Sequence, residues 1–292
     1  MSKGLLDPKV DFVFKNIFGS PNHPEILISF LNATLKAKKK IVNVDIKKTD
    51  IEKQYIEDKY SRLDVKATTS NDEIINIEIQ LKNENNMVKR SLYYLSKMYE
   101  EQLNEKEDYS KLVRTVCINI LNFKYLKTDN FHTGYRFKEI ESNEELTDIM
   151  EVHFIEIPKL QDSSDEKDML VAWTEFLKDP ESEKVRGLEL SIEEIRQAKD
   201  ELIRMSNDST QRELYDMRAN SLRDKMSELN AAERKGIEKG REEGREEGRK
   251  EGIEEGRKEE KIKIARNMKL NGLDTNTIAK VTNLSEDEID KL

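Results

Sequence analysis

Apolar positions recur at helical spacing at two places near the start of the chain. "DFVFKNIFG" reads as a helix closed by Gly19, and "EILISFLNATLK" (25–36) as a second amphipathic helix. The pattern then turns strand-like in "IVNVDIKKTDIE" and again in "RLDVKATTSNDEIINIEIQLK". In the latter, two β-prone runs flank the turn-like "TSND" and predict a hairpin. "MVKRSLYYLSKMYEEQL" (87–103) predicts a helix with Leu92, Leu95, Tyr99 and Leu103 on one stripe. "LVRTVCINILNF" (112–123) predicts a fully buried strand. "IMEVHFIEIPKL" (149–160) predicts the next one, closed by Pro158. The expected class is α/β: a mixed sheet flanked by helices, followed by an all-α extension.

From Asp162 to about Leu229 the pattern is helical, with Trp173, Phe176 and Leu177 as core candidates and Ser191, with Glu194, as a candidate capping box. Glycine then recurs every fourth residue from Gly236 to Gly256 among charged residues. A four-residue step advances about 400° on an α-helix, so these glycines wind around it rather than mark one face. Pairs such as Glu242 with Arg245 and Glu246 with Arg249 support a helix, and each interior glycine weakens it by roughly 1 kcal/mol relative to alanine. A helical spacer, a weak oligomerisation element and a disordered linker are all compatible with this run. In the last residues a helix ends at Gly272, another starts near Asp274–Thr277, and Ser285 with Glu288 forms a capping-box signature, together predicting a small helix-turn-helix-like unit. The expected divisions are 1–160 for the α/β domain, 161–232 for a helical region, 233–260 for the glycine run and 261–292 for the tail.

Charge changes this picture in one respect. Of 292 residues 38% are charged and the net charge is −9. Residues 1–160 are nearly balanced, with 25 Lys+Arg against 26 Asp+Glu, so the acidity belongs to the C-terminal part, with 26 against 34. Non-specific DNA affinity comes mostly from neutralising phosphates, so a DNA-binding role requires a local basic patch, a metal ion or both. "KAKKK" (36–40) and Lys47–Lys48 are candidates for the patch, or else a solvated helix end and loop. No transmembrane run or secretory signal is visible, and the single cysteine, Cys117, lies in an apolar run as a core thiol, which fits a reducing cytoplasm. His23, His132 and His153 are far apart in sequence and lack zinc-ligand spacing, so each reads as structural or incidental. Neither a P-loop nor a GxSxG elbow is present.

Candidate chemistry lies in the hairpin. Pairing about Asn71 sets residue i against 142−i, placing Asp64 opposite Glu78 and Arg62 opposite Gln80. Alternation puts Glu78 and Gln80 on one face and Ile75, Ile77, Ile79 and Leu81 on the other, which is expected to be the buried face. Two facing carboxylates repel, so a cation, a shared proton or a different register is required. Mg²⁺ held by one or two carboxylates and waters is a natural cation.

At "LDV…IEIQ" the chain resembles the PD-(D/E)XK nuclease superfamily, in the variant with Gln in place of the final Lys. With "DPKVDFVFKNIFG", "ELTDIMEVHFIEIPKL", the helical segment after Trp173 and the glycine run, it resembles the Rpn family of recombination-promoting nucleases and transposases over nearly its whole length. The resemblance implies a restriction-endonuclease-like fold and Mg²⁺- (or Mn²⁺-) dependent hydrolysis of DNA linked to recombination, mobile elements or defence. It implies Asp64 and Glu78 as metal ligands, Gln80 in the place of the water-positioning Lys, and Asp11 facing the site. Lys15, Arg62, Arg90 and Tyr94 become candidate phosphate contacts. The alternative is a weak or inactive nuclease fold serving as a DNA-binding or assembly module, supported by Gln80 and the acidic tail. Expected partners are DNA and a second copy of the chain, as a dimer through the C-terminal helices. Met217, Met226 and Met268 are candidate starts for a shorter C-terminal product of the same gene.

Overall fold

A computed structural model describes residues 4–36, 39–47, 64–165 and 167–292. The chain divides into two units, Met1–Leu222 and Arg223–Leu292. In the first, α1 (Asp11–Phe18) and α2 (Pro24–Leu35) form where the apolar spacing predicts, α1 ending at Gly19. The sheet follows: β1 (Val44–Lys47), β2 (Val65–Thr69), β3 (Ile74–Gln80), then α3 (Met87–Glu100), β4 (Thr115–Leu121), β5 (His132–Lys138) and β6 (Glu145–Glu156). The spatial order is β1-β2-β3-β4-β6-β5. β3, β4 and β6 run parallel, while β1, β2 and β5 pair antiparallel with their neighbours, so the sheet is mixed as expected.

The hairpin pairs about Asn71: Val65 faces Ile77 and Ala67 faces Ile75. β1 is shorter than the strand-like pattern, and residues 48–52 of that pattern lie outside the described residues. β5 has no counterpart in the sequence reading, because most of it is exposed and its residues lack a clear alternation. The predicted stripe of α3 is corrected. Its buried face is Met87, Ser91, Tyr94, Leu95 and Met98, whereas Leu92 is half exposed. Leu92 is apolar, but the sheet beneath α3 is polar enough to take Ser91 in its place, with its hydroxyl on Asn119.

Both faces of the sheet are covered, which corrects the expectation of one buried face. Val65, Ala67, Ile75, Ile77 and Ile79 pack with α1, α2 and the later helices α4 (Met169–Lys178), α5 (Glu183–Glu189) and α6 (Glu193–Asn207) around Phe14, Phe18 and Trp173. Cys117, Leu121, Val152 and Phe154 pack under α3 on the opposite face. Ile192 rather than Ser191 caps α6, and the Ser191 hydroxyl donates to Leu188 O (3.2 Å).

A long helix, α7 (Ser209–Leu270), follows. In its first turns Tyr215 Oη accepts from Asp7 N (3.4 Å) and Arg218 Nη1 donates to Asp11 Oδ2 (2.8 Å). In the second unit the glycine run is helical, and its ion pairs include Lys239–Glu243 (3.6 Å) and Lys250–Glu246 (3.1 Å). The tail forms α8 (Thr275–Thr282), capped by Asp274, and α9 (Glu286–Asp290), with the Ser285–Glu288 capping box complete. Gly272, at φ +79°, makes the turn that lets Ile278, Leu284 and Ile289 pack on Ala265. Among the described residues, no helix is long and apolar enough to cross a membrane.

Candidate active site

Extending the hairpin register by one pair brings Asp64 beside Glu78, and one bond fixes it there. Asp64 Oδ2 accepts the backbone N–H of Ile79 at 2.8 Å, so its carboxylate ends the β2–β3 ladder. Glu78 lies on the α3 face, between Asp64 and Asn119 of β4, and is fully buried. Neither Glu78 oxygen has a hydrogen-bond partner. Arg90 Nε stands 3.3 Å from Glu78 Oε2, and Lys15 Nζ is 3.9 Å from Asp64 Oδ1. Two cations thus face two carboxylates without occupying them fully.

Burial dominates the protonation of the pair. It raises Glu78 to about 7, with Arg90 pulling down and the Asp64 charge pushing up. It also raises Asp64 to about 6, opposed by the Ile79 N–H and Lys15 and assisted by Asp11. Carboxyls poised near neutrality in a partly enclosed cluster are features of functional sites.

Asp11 sits in the first turn of α1, held by Arg218 and near enough to Asp64 to act on it electrostatically. Gln80 ends β3, partly exposed, on the Glu78 side of the strand. Tyr94 is buried on α3, with the Arg90 guanidinium 5.3 Å from its ring centroid. Arg62 lies outside the described residues. Of the candidate basic patch, Lys36 pairs with Asp168 (3.2 Å) and Lys47 with Asp45, while residues 37, 38 and 48 lie outside the described residues. Cys117 is buried, and burial pushes its thiol up to about 12, so it is inert as expected.

The structure adds a second polar cluster that the sequence reading missed. His132 and His153, read as far apart, are in contact: Nε2 of His132 lies 2.9 Å from Nδ1 of His153, because β5 and β6 pair. His153 Nε2 is 2.8 Å from Glu151 Oε1; Glu151 also pairs with Arg114 and with Arg136 (3.1 Å), and Arg114 with Glu73. Burial raises Glu151, but hydrogen bonds from His153 and Arg114 outweigh it and bring it to about 2. Burial, assisted by His153, lowers His132 to about 4. Glu151 and His153 alternate with the α3-facing positions of β6 and so lie on the other face from Glu78. A cleft beside this cluster is lined by Lys36, Lys39, Arg114 and Arg136 and by Asp72, Glu73, Glu145 and Asp148. Four cations balanced by four carboxylates do not make a phosphate site, and the cluster reads as a structural tie across the strands. Only recognising β5 and its hairpin with β6 could have revealed the His132–His153 contact.

The donor set at Asp64 and Glu78 fits a hard divalent ion. It offers carboxylate oxygens, two of them buried and without a well-formed hydrogen bond, and Mg²⁺ is commonly held by only one or two carboxylates. Among the described residues, no third His, Cys, Asp or Glu joins them in a cluster able to hold a metal.

In comparisons with known families, the model of the PD-(D/E)XK nuclease family transposases matches residues 8–232. The model of the Rpn/YhgA-like nuclease family C-terminal HTH domain matches residues 258–292. No curated protein and no solved structure matched the chain.

Proposed function

Because the chain belongs to the PD-(D/E)XK nuclease family transposases and carries an Rpn/YhgA-like tail, we propose that it is a Mg²⁺- or Mn²⁺-dependent DNA endonuclease. The observation that carries this reading is the buried Asp64–Glu78 pair with both Glu78 oxygens unpartnered. Asp64 and Glu78 would hold the ion, which when bound polarises a phosphoryl oxygen and makes hydroxide available near neutral pH. The chain's own groups do the rest. The Ile79 N–H fixes the Asp64 carboxylate, and Arg90 offsets the charge of Glu78. Gln80 orients the attacking water through its amide; it cannot deprotonate it, since an amide has no useful basicity. Lys15 and Arg90 are the cations available to a phosphate at this end of β3. Asp11 tunes Asp64 from α1. The biological setting we assign is DNA recombination, mobile elements or defence, in the cytoplasm, with the C-terminal helices mediating self-association.

The test is plasmid cleavage with Mg²⁺ or Mn²⁺ by the parent, Asp64→Ala and Glu78→Ala. Loss in both variants is expected, and equal cleavage by all three would remove this site.

The second reading, a nuclease fold retained as a binding or assembly module, draws on Gln80 and on α9, where Glu286, Asp287, Glu288 and Asp290 make a helix that DNA phosphates would repel. Absence of ion binding by calorimetry, together with tight self-association lost on truncation after Ala232, would favour it.

A further inference from the structure

Asn76 precedes Glu78 by two residues on β3 and therefore shares its face of the sheet. It is fully buried, and both its Oδ1 and its Nδ2 lack a hydrogen-bond partner. The same holds for both Glu78 oxygens and for Arg90 Nε. Buried polar atoms are almost always partnered, so an orphan calls for a missing water or ion. Among the described residues nine such side-chain atoms occur, and these five belong to Asn76, Glu78 and Arg90.

Asn119 provides the contrast. It sits beside Glu78 on β4, equally buried, but its Oδ1 accepts from Ser91 Oγ (2.8 Å) and its Nδ2 donates to His153 O (3.1 Å). One buried amide is committed to well-formed hydrogen bonds within the fold, while the other, on the next strand, has only looser contacts with Glu78 and Cys117.

We propose that Asn76 is a positioning residue of the ion site. Its Nδ2 offers a donor that orients the Glu78 carboxylate, and its Oδ1 offers an acceptor to a water of the ion's shell. A shell water donates both protons and needs such acceptors, and Mg²⁺ keeps several waters when protein ligands are few. This role rests on the ion reading above and extends it to an amide outside the Asp64–Glu78–Gln80 set.

The experiment compares the near-isosteric Asn76→Leu with Asn119→Leu and the parent in full-length protein, reading ion-free Tm and calorimetric Mn²⁺ affinity at pH 8. Asn76 has no partner of good hydrogen-bond geometry in the ion-free fold, only looser contacts with Glu78 and Cys117, so Asn76→Leu lowers the ion-free Tm less than Asn119→Leu does. Asn119→Leu lowers the Tm, because His153 O loses its side-chain donor and Ser91 Oγ is left with Met87 O alone. Asn76→Leu weakens Mn²⁺ binding about tenfold or more, the usual effect of losing an outer-shell partner. Asn76→Ser, which keeps a donor and an acceptor, retains part of the affinity. Unchanged Mn²⁺ affinity in both Asn76 variants would overturn the role of Asn76 alone. So would a drop in ion-free Tm in both Asn76 variants as large as that of Asn119→Leu, with the affinity of the folded fraction intact. Absence of Mn²⁺ binding by the parent would overturn the ion reading itself, and this role with it.

Discussion

Arg90 Nε stands 3.3 Å from Glu78 Oε2 without hydrogen-bond geometry, so the guanidinium neutralises the carboxylate and leaves its lone pairs open. Burial is what raises Glu78 to about 7, and Arg90 is the largest influence holding it down. Arg90→Met therefore moves Glu78 further up, by roughly one unit or more for the loss of a close opposite charge. The ionised, ion-binding form then appears at higher pH. The expected outcome is an upward shift in the pH midpoint of Mn²⁺ binding, read by calorimetry, with Arg90→Lys shifting it less. A midpoint unmoved by Arg90→Met would detach Arg90 from the site.

The same burial makes ion-free stability depend on pH in an unusual direction. Both carboxyls have folded values above their ordinary ones, Asp64 at about 6 and Glu78 at about 7. Between pH 4 and pH 7 the folded chain thus binds more protons than the unfolded chain, and stability falls as pH rises through this window. The loss is on the order of 3 kcal/mol for each group titrating alone, at about 1.4 kcal/mol per unit, and less for a pair that shares repulsion. Thermal melts in EDTA should show Tm declining from pH 5 to pH 8. Glu78→Gln should flatten the decline, and millimolar Mn²⁺ should reverse it at pH 8. His132, held at about 4, works the other way between about pH 4 and 6.5, so the deciding comparison is parent against Glu78→Gln, and the same pH slope in both would contradict the burial of Glu78.

Much of this arrangement was legible before any coordinates. Alternation and the "TSND" turn fixed the hairpin register, because a slip by one residue would have turned Ile75, Ile77 and Ile79 away from the helices. Gly19, Asp274, Ser285 and Glu288 marked helix ends through local capping chemistry. What stayed hidden depends on contacts distant in sequence. Burial of Glu78 required α3 to cover a face that reads as polar, and Ser91 signals this only once Asn119 is known to lie beneath it. The resemblance marked Arg90 as a candidate phosphate contact, but its place beside the Glu78 carboxylate appears only once α3 covers that strand. The His132–His153 contact needed β5, a strand whose exposed residues carry no strong alternation.

Gln80 tests whether the missing cation limits turnover. It occupies the last position of β3, partly exposed on the Glu78 side. An ammonium there would stabilise developing negative charge and also lower Glu78. Gln80→Lys is expected to raise the single-turnover cleavage rate about tenfold or more, the scale of one electrostatic donor at a reacting centre. It should also extend activity to lower pH, with Mn²⁺ affinity changing less than the rate. A fall in rate would mean that the amide's orientation of water, not charge, is the contribution of this position.

The glycine run of α7 separates a spacer from a packing element. A Cβ built at Gly240, Gly244, Gly248 or Gly252 meets nothing within 4 Å, so the chain by itself gives no steric reason for glycine there. Each costs the helix about 1 kcal/mol relative to alanine, and the unfolded chain gains entropy from it as well. Gly244→Ala, Gly248→Ala and Gly252→Ala combined should therefore strengthen the helix by about 3 kcal/mol, seen as a higher-melting helical signal in circular dichroism. Close helix packing through glycine needs the glycines on one face. Here successive glycines drift about 40° apart, so a straight partner helix could reach only a few of them. Sedimentation of the triple variant is thus expected to match the parent. Dissociation of the variant would instead make the winding line of glycines a packing groove, and the self-association of the chain would have to be sought there.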